Sequence, residues 1–250
     1  MKLIFYISFF ALVLFAAPFE NLMPHAYSHT TDYELEFTLL STTEYDIYEP
    51  GVGIGTGVFV LAKYPYAYIG CSVWGIMVWD ISNPYAPILL GHCNSGGSEP
   101  LLELGIGDFD IYQDTLLIGT GLNGRLLIVN VADPLHPFLL TSLSYFPGHV
   151  HQTLVRGHYA YQAWYAYDGV DSVGFSGLMV YDLSDPTYPI ITDSVAIPGL
   201  TTWRFWMDEN FAYLLDCNWI TPNIYIIDIR NPYNLIYHNS FSVGTSVMGG

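Results

Sequence analysis

The chain has 250 residues, of which 52% are hydrophobic and 12% charged, with 21 Tyr and 14 Phe. So few charges beside so many β-forming aromatics exclude a disordered chain and a coiled coil. The net charge of −17, with six scattered Lys and Arg, excludes binding to nucleic acid, which needs clustered cations against phosphate, and disfavours anionic membrane surfaces.

Residues 1–17 carry one Lys and an apolar run from Leu3 to Ala17, which reads as a signal peptide. Two cleavage points fit, one ahead of Pro18 and one as late as Ala26-Tyr27-Ser28. The run is short for a bilayer span, and no second segment of spanning length follows. The chain is therefore expected to be secreted or at the cell surface, with no membrane contact beyond the signal segment. Cys71, Cys93 and Cys217 are the only cysteines. Cys71 and Cys93 fall on the second and fourth strands of one repeat, too far apart for a bridge, so no disulfide framework is expected.

From residue 30 to 250 the chain reads as repeated units of short strands. Segment 34–45, ELEFTLLSTTEY, matches only an outer strand. Four repeats follow at about 50–97, 98–147, 148–198 and 199–244, and residues 245–250 begin a further one. Each contains one phrase, WDISNPYAP, VNVADPLHP, YDLSDPTYP and IDIRNPYNL, whose prolines Pro84, Pro134, Pro186 and Pro232 are spaced by 50, 52 and 46 residues. A period of that size marks stacked supersecondary units. Asp80, Asn130, Asp182 and Asp228 close the third strand of each repeat, and an Asx-Pro pair opens the turn that follows. Because these acidic motifs recur in every unit, turn chemistry accounts for them better than metal binding.

The second repeat resolves into strands near 109–113, 115–121, 126–131 and 137–145. Third strands with near-continuous apolar runs (IMVW, LLIV, LMVY, IYII) predict sheets covered on both faces, as in radially packed blades. The expected fold is all-β: a β-propeller of four-stranded antiparallel blades, four complete repeats plus partial blades at both ends. Tyr66-Ala67-Tyr68, the run from Trp74 to Asp80 and Asn83-Pro84 in the first repeat, with Tyr159-Ala160-Tyr161, the run from Ser176 to Asp182 and Asp185-Pro186 in the third, resemble the LVIVD repeat of bacterial and archaeal β-propellers. Departures are Asn130 for Asp and an extra residue after Gly124 in the second repeat, and Asn223 and Leu235 in the fourth. The resemblance covers about residues 50–244. It implies an exported or surface propeller and transfers no catalytic motif.

Where the repeats differ, a site is expected. The link from Tyr161 to Gly177 spans 15 residues, against six in the first two repeats, so QAWYAYDGVDSVGFS is read as an enlarged loop. Its Trp164, Tyr165, Tyr167, Asp168 and Asp171, with Trp74, Trp203 and Trp219 mapping near the same face, form a candidate surface for protein or glycan. Asp168 and Asp171 lack the alternating oxygen ligands of a calcium loop. His149 and His151 open an inner strand at ligand-like spacing, since alternation turns both to one side, yet no partner recurs to complete a shell. The expected function is a non-enzymatic binding scaffold at the cell surface, without cofactor, with missing blades of its own chain as a further partner. The alternative is a propeller hydrolase or lyase using His149, His151 and Asp171 at the channel mouth. Against it stands the lack of a nucleophile elbow or a metalloprotease helix motif.

Overall fold

The computed structural model describes residues 57–71, 75–93, 106–121, 125–144, 149–167, 174–216 and 222–243. Segment 34–45 and residues 245–250 lie outside them, as does the signal segment. The described residues form four blades. The first holds β1 (Gly57–Lys63), β2 (Tyr66–Cys71), β3 (Gly75–Asp80) and β4 (Ile88–Cys93). The second holds β5 (Ile106–Tyr112), β6 (Leu116–Gly121), β7 (Arg125–Asn130) and β8 (Phe138–Ser144). In the third are β9 (His149–Arg156), β10 (Tyr159–Tyr167), β11 (Gly174–Asp182) and β12 (Ile190–Pro198). The fourth comprises β13 (Thr202–Met207), β14 (Phe211–Asp216), β15 (Asn223–Asp228) and β16 (Ile236–Ser242). Each blade is an antiparallel sheet with its strands in chain order. The fold is all-β with the strand order of propeller blades.

The third strands of the first three blades are apolar because both of their faces are covered. Ile76 and Val78 pack toward the second blade, with Tyr68, against Phe109, Leu117, Leu127 and Val129. Met77 and Trp79 belong to a separate cluster on the opposite face of the first blade. The second and third blades meet through Ile118, Leu126 and Ile128 against Ala160, Met179 and Tyr181. The third and fourth meet through Tyr161, Leu178 and Val180 against Phe205, Ala212, Leu214 and Ile227. Each such side chain contributes about 1.5–3 kcal/mol by leaving water. The first strands carry the arc: β1 packs on β5, β5 on β9 and β9 on β13. No packing of that extent joins β13 to β1 among the described residues. Cys93 on β4 is buried and free, and burial raises its thiol pKa.

The repeated turns are held locally. The Oδ1 atoms of Asp80, Asn130, Asp182 and Asp228 accept from the amides of Ser82, Ala132, Ser184 and Arg230 at 2.7–3.0 Å. Asn83, Asp133, Asp185 and Asn231 accept in the same way from Tyr85, Leu135, Thr187 and Tyr233 at 3.0–3.1 Å. Side-chain hydrogen bonds from Ser82, His136, Ser184 and Thr187, and after them these amide bonds, favour the charged form, so Asp80, Asp133, Asp182 and Asp185 titrate below the usual carboxylate range. Pro84, Pro134, Pro186 and Pro232 sit inside the turns, where a missing amide donor breaks no ladder.

The outer strands of the first three blades lean on the turn of the next blade. Thr141 Oγ1 donates to the Pro186 carbonyl at 3.1 Å, and Thr192 Oγ1 to the Pro232 carbonyl at 2.6 Å. On β4 the approach is closer still: a Cβ on Gly91 would lie 2.6 Å from the Leu135 carbonyl oxygen and 2.7 Å from that of Pro134. Gly91→Ala should therefore push the first and second blades apart at their outer edge. The expected loss is about 1–3 kcal/mol, checked by urea denaturation; an unchanged midpoint would reject the contact.

Candidate functional site

The stretch expected as a swollen loop is mostly sheet. Strands β10 and β11 run nine residues each and stay paired out to Tyr167↔Gly174. Only 168–173 remain to connect them. Trp164 and Tyr165 are consequently strand residues, 5% and 7% exposed, and not part of an open loop face. Trp164 packs into the core between the second and third blades. The physical cause is continued ladder pairing, which turns successive side chains to opposite faces of a sheet covered on both sides. Tyr167 ends β10, and Trp203 lies on β13; their side chains are outside the described set. Asp168, Asp171, Trp74 and Trp219 lie outside the described residues.

His149 and His151 hold the start of β9, as expected. A register shift between Ala163 and Trp164 leaves His151 unpaired in the ladder, because Ala163 faces Gln152 while Trp164 faces Val150. Among the described residues, no group of three or more His, Cys, Asp or Glu is placed to hold a metal ion.

Tertiary structure instead assembles a polar centre that sequence reasoning missed. Asp108 on β5, Gln152 on β9 and Arg204 on β13 each lie two residues before Asp110, Leu154 and Trp206, which pair with Ile118, Tyr161 and Tyr213. Arg204 Nη1 donates to Asp108 Oδ2 at 2.7 Å, joining the second blade to the fourth across the third. The Phe205 amide donates to Gln152 Oε1 at 2.7 Å, and the Val155 amide to Asp110 Oδ2 at 2.7 Å. Gln162 Nε2 donates to Thr153 Oγ1 at 3.0 Å and to the Gly119 carbonyl at 3.3 Å. The Thr202 amide donates to Ser176 Oγ at 3.2 Å. All but the Gln162–Thr153 bond cross a blade boundary. Burial pushes the Asp108 carboxyl up to about 7 despite the opposing pull of Arg204. A carboxyl titrating near neutrality could serve acid–base chemistry, but Asp108 is 1% exposed and held under a guanidinium. Its visible signal in the sequence was a carboxylate in the middle of an apolar inner strand, GDFDIY.

A second feature lies on the fourth blade. The face of this sheet turned away from the third blade carries Trp206, 63% exposed, stacked on Tyr213 with centroids 5.7 Å apart. Leu215 and Phe241 are exposed beside them, and Ile224 and Ile226 are partly exposed. At its outer end Arg230 bonds Asp228 and lies 5.9 Å over the Phe211 ring. That bonding holds the Asp228 carboxyl well below the usual range.

The family described as LVIVD repeat matches residues 59–95 and 147–196, within the first and third blades. The β-propeller domain of Myceliophteria thermophila Cps50 (Swd1) is similar in fold at 10% identity and a TM-score of 0.53, over 84% of this chain and 65% of that one. Saccharomyces cerevisiae Sqt1 is similar at 9% identity and a TM-score of 0.52, over 75% of this chain and 47% of that one. The WD40 domain of Toxoplasma gondii coronin is similar at 9% identity and a TM-score of 0.51, over 74% and 45%. The chain thus spans between 45% and 65% of the length of these structures. No curated protein matches it. Two matched repeats, four blades of identical strand order and these neighbours agree: the chain carries LVIVD repeats on a β-propeller-type fold.

Proposed function

We propose that this chain is an exported propeller-type scaffold that binds protein or glycan at the cell surface and performs no catalysis of its own. The observation that carries the reading is the β10–β11 hairpin. Its strands run nine residues, against six for β2, β3, β6 and β7, so it continues past the equivalent hairpins of the first two blades. Tyr167 and Phe175 stand at its end, and Asp168 and Asp171 fall in the connection. The hairpin is rooted on the buried Trp164, and a rooted hairpin loses less entropy on binding. The Asp108 ion pair supports a structural centre in preference to the hydrolase or lyase alternative, because its groups are engaged with one another.

Replacing 168–173 by Asn-Gly tests the reading, since that dipeptide closes a two-residue hairpin turn. Binding to a glycan or surface-protein array should be lost while stability changes by no more than about 0.5 kcal/mol. Retained binding would reject the hairpin as the contact surface.

A further inference from the structure

Each blade exposes large apolar side chains at one and the same place, where the turn after the third strand enters the outer strand. Ile88, Phe138, Ile190 and Ile236 open β4, β8, β12 and β16. They pair with Asp80, Asn130, Asp182 and Asp228, the residues that close the third strands. All four are 48–60% exposed. In the turns just ahead of them stand Tyr85, Leu135, Tyr188 and Tyr233, which are 55–73% exposed.

Blade packing does not account for these residues. The first three blades already hold a successor, yet their members of both series are no less exposed than Tyr233 and Ile236 of the fourth. Pro137, Pro189 and Leu235, which lie between the two series, are the side chains that go inside. Outer strands are also the edges that natural sheets guard with charge, and none of the four opens on a charged residue. Isolated exposed apolar residues carry no meaning, but a pair repeated at fixed register in four sheets forms a band along one end of the blades. That end is opposite Tyr167 and Gly174, where β10 and β11 run together, so the band is separate from the hairpin surface.

The turns that carry the band are acidic. Among the described residues, Asp80, Asp133, Asp182 and Asp185 form no ion pair with Lys or Arg. Lys63 and Arg230 at this end are already paired, with Asp114 and Asp228. We propose that the band is a docking surface for a protein segment in which Lys or Arg alternates with apolar side chains. Charge complementarity selects that occupant. A second copy of the chain would bring the same carboxylates, and an anionic lipid surface its phosphates, so either would set like charges together. A neutral apolar partner would cover the carboxylates without supplying a cation.

The test measures binding of the 250-residue chain to a labelled synthetic peptide of alternating Leu and Lys, by fluorescence anisotropy. Ile88→Thr, Phe138→Thr and Ile190→Thr together keep β-forming side chains at exposed positions while removing apolar area. Binding should weaken by about tenfold or more with Tm nearly unchanged. Asp80→Asn with Asp185→Asn should also weaken it and flatten its salt dependence. Those changes preserve the turns, since Asn130 and Asn83 make the same amide bonds at the equivalent places. Trp206→Ser, on the open face of the fourth blade, should leave binding as it was, and a peptide of alternating Leu and Glu should not bind. No binding of the Leu-Lys peptide would overturn the proposal. Binding that survives the three Thr substitutions would do so too, because attraction to an acidic chain needs no band. Equal binding of the Leu-Glu peptide, or loss on Trp206→Ser, would have the same force. Sedimentation with phosphatidylcholine vesicles, or a doubled mass, either one abolished by the Thr substitutions, would identify a lipid surface or a second copy as the occupant instead.

Discussion

Arg204→Met is expected to destabilise the chain at pH 8 by about 3–5 kcal/mol, because it strands a buried carboxylate without its cation. Asp108 is 1% exposed, and the 2.7 Å bond to Arg204 spans 96 residues of sequence. The same pair sets a pH dependence whose sign follows from linkage. The carboxyl titrates near 7 in the folded chain, above its ordinary value of 3.8, so the native state holds this proton more tightly than the unfolded one. Its contribution to stability is complete below about pH 4 and is lost as pH rises toward and through 7. Asp108→Asn keeps an acceptor for Arg204 and removes the titration. Urea unfolding of wild type and Asp108→Asn across pH 4–8 should therefore show a steeper decline in the wild type, with the two converging at the acid end. Identical slopes would mean that Asp108 does not carry this shift.

Trp164→Ala is expected to cost about 3–5 kcal/mol while leaving any ligand binding of the folded fraction intact. The indole sits among Ile118, Leu126, Ile128, Met179 and Tyr181, so its removal opens a cavity between two blades. Trp164→Phe, which refills part of that volume, should recover much of the loss. Denaturation midpoints combined with the array measurement separate the two roles. Lost binding at unchanged stability would return Trp164 to the contact surface.

The repeats were legible because their signals are local. An Asx side chain that bonds an amide two residues on, followed by a proline that fixes φ, specifies a turn with no help from distant residues. The apolar runs of β3, β7 and β11 likewise announced sheets covered on both sides, whereas the same run in β15 lies on a sheet with one open face. Composition and period favoured a loop from Gln162 to Ser176, since nothing in QAWYAYDGVDSVGFS says how far ladder pairing continues. The register shift at His151 arises from how β9 pairs with β10. A one-residue shift of that kind leaves no local mark in the chain.

By itself, then, the sequence determined the blade: its period, its four strands, its turns and the two-sided apolar core. Tertiary structure decided which residues meet between blades. Asp108 finds Arg204, Gln152 caps Phe205, Trp164 goes inside, and Ile226 and Tyr213 stand open where their counterparts are closed. The reason is the range of the forces involved. Turn hydrogen bonds and strand periodicity act over a few residues, whereas burial and inter-blade polar pairing depend on what each sheet is packed against.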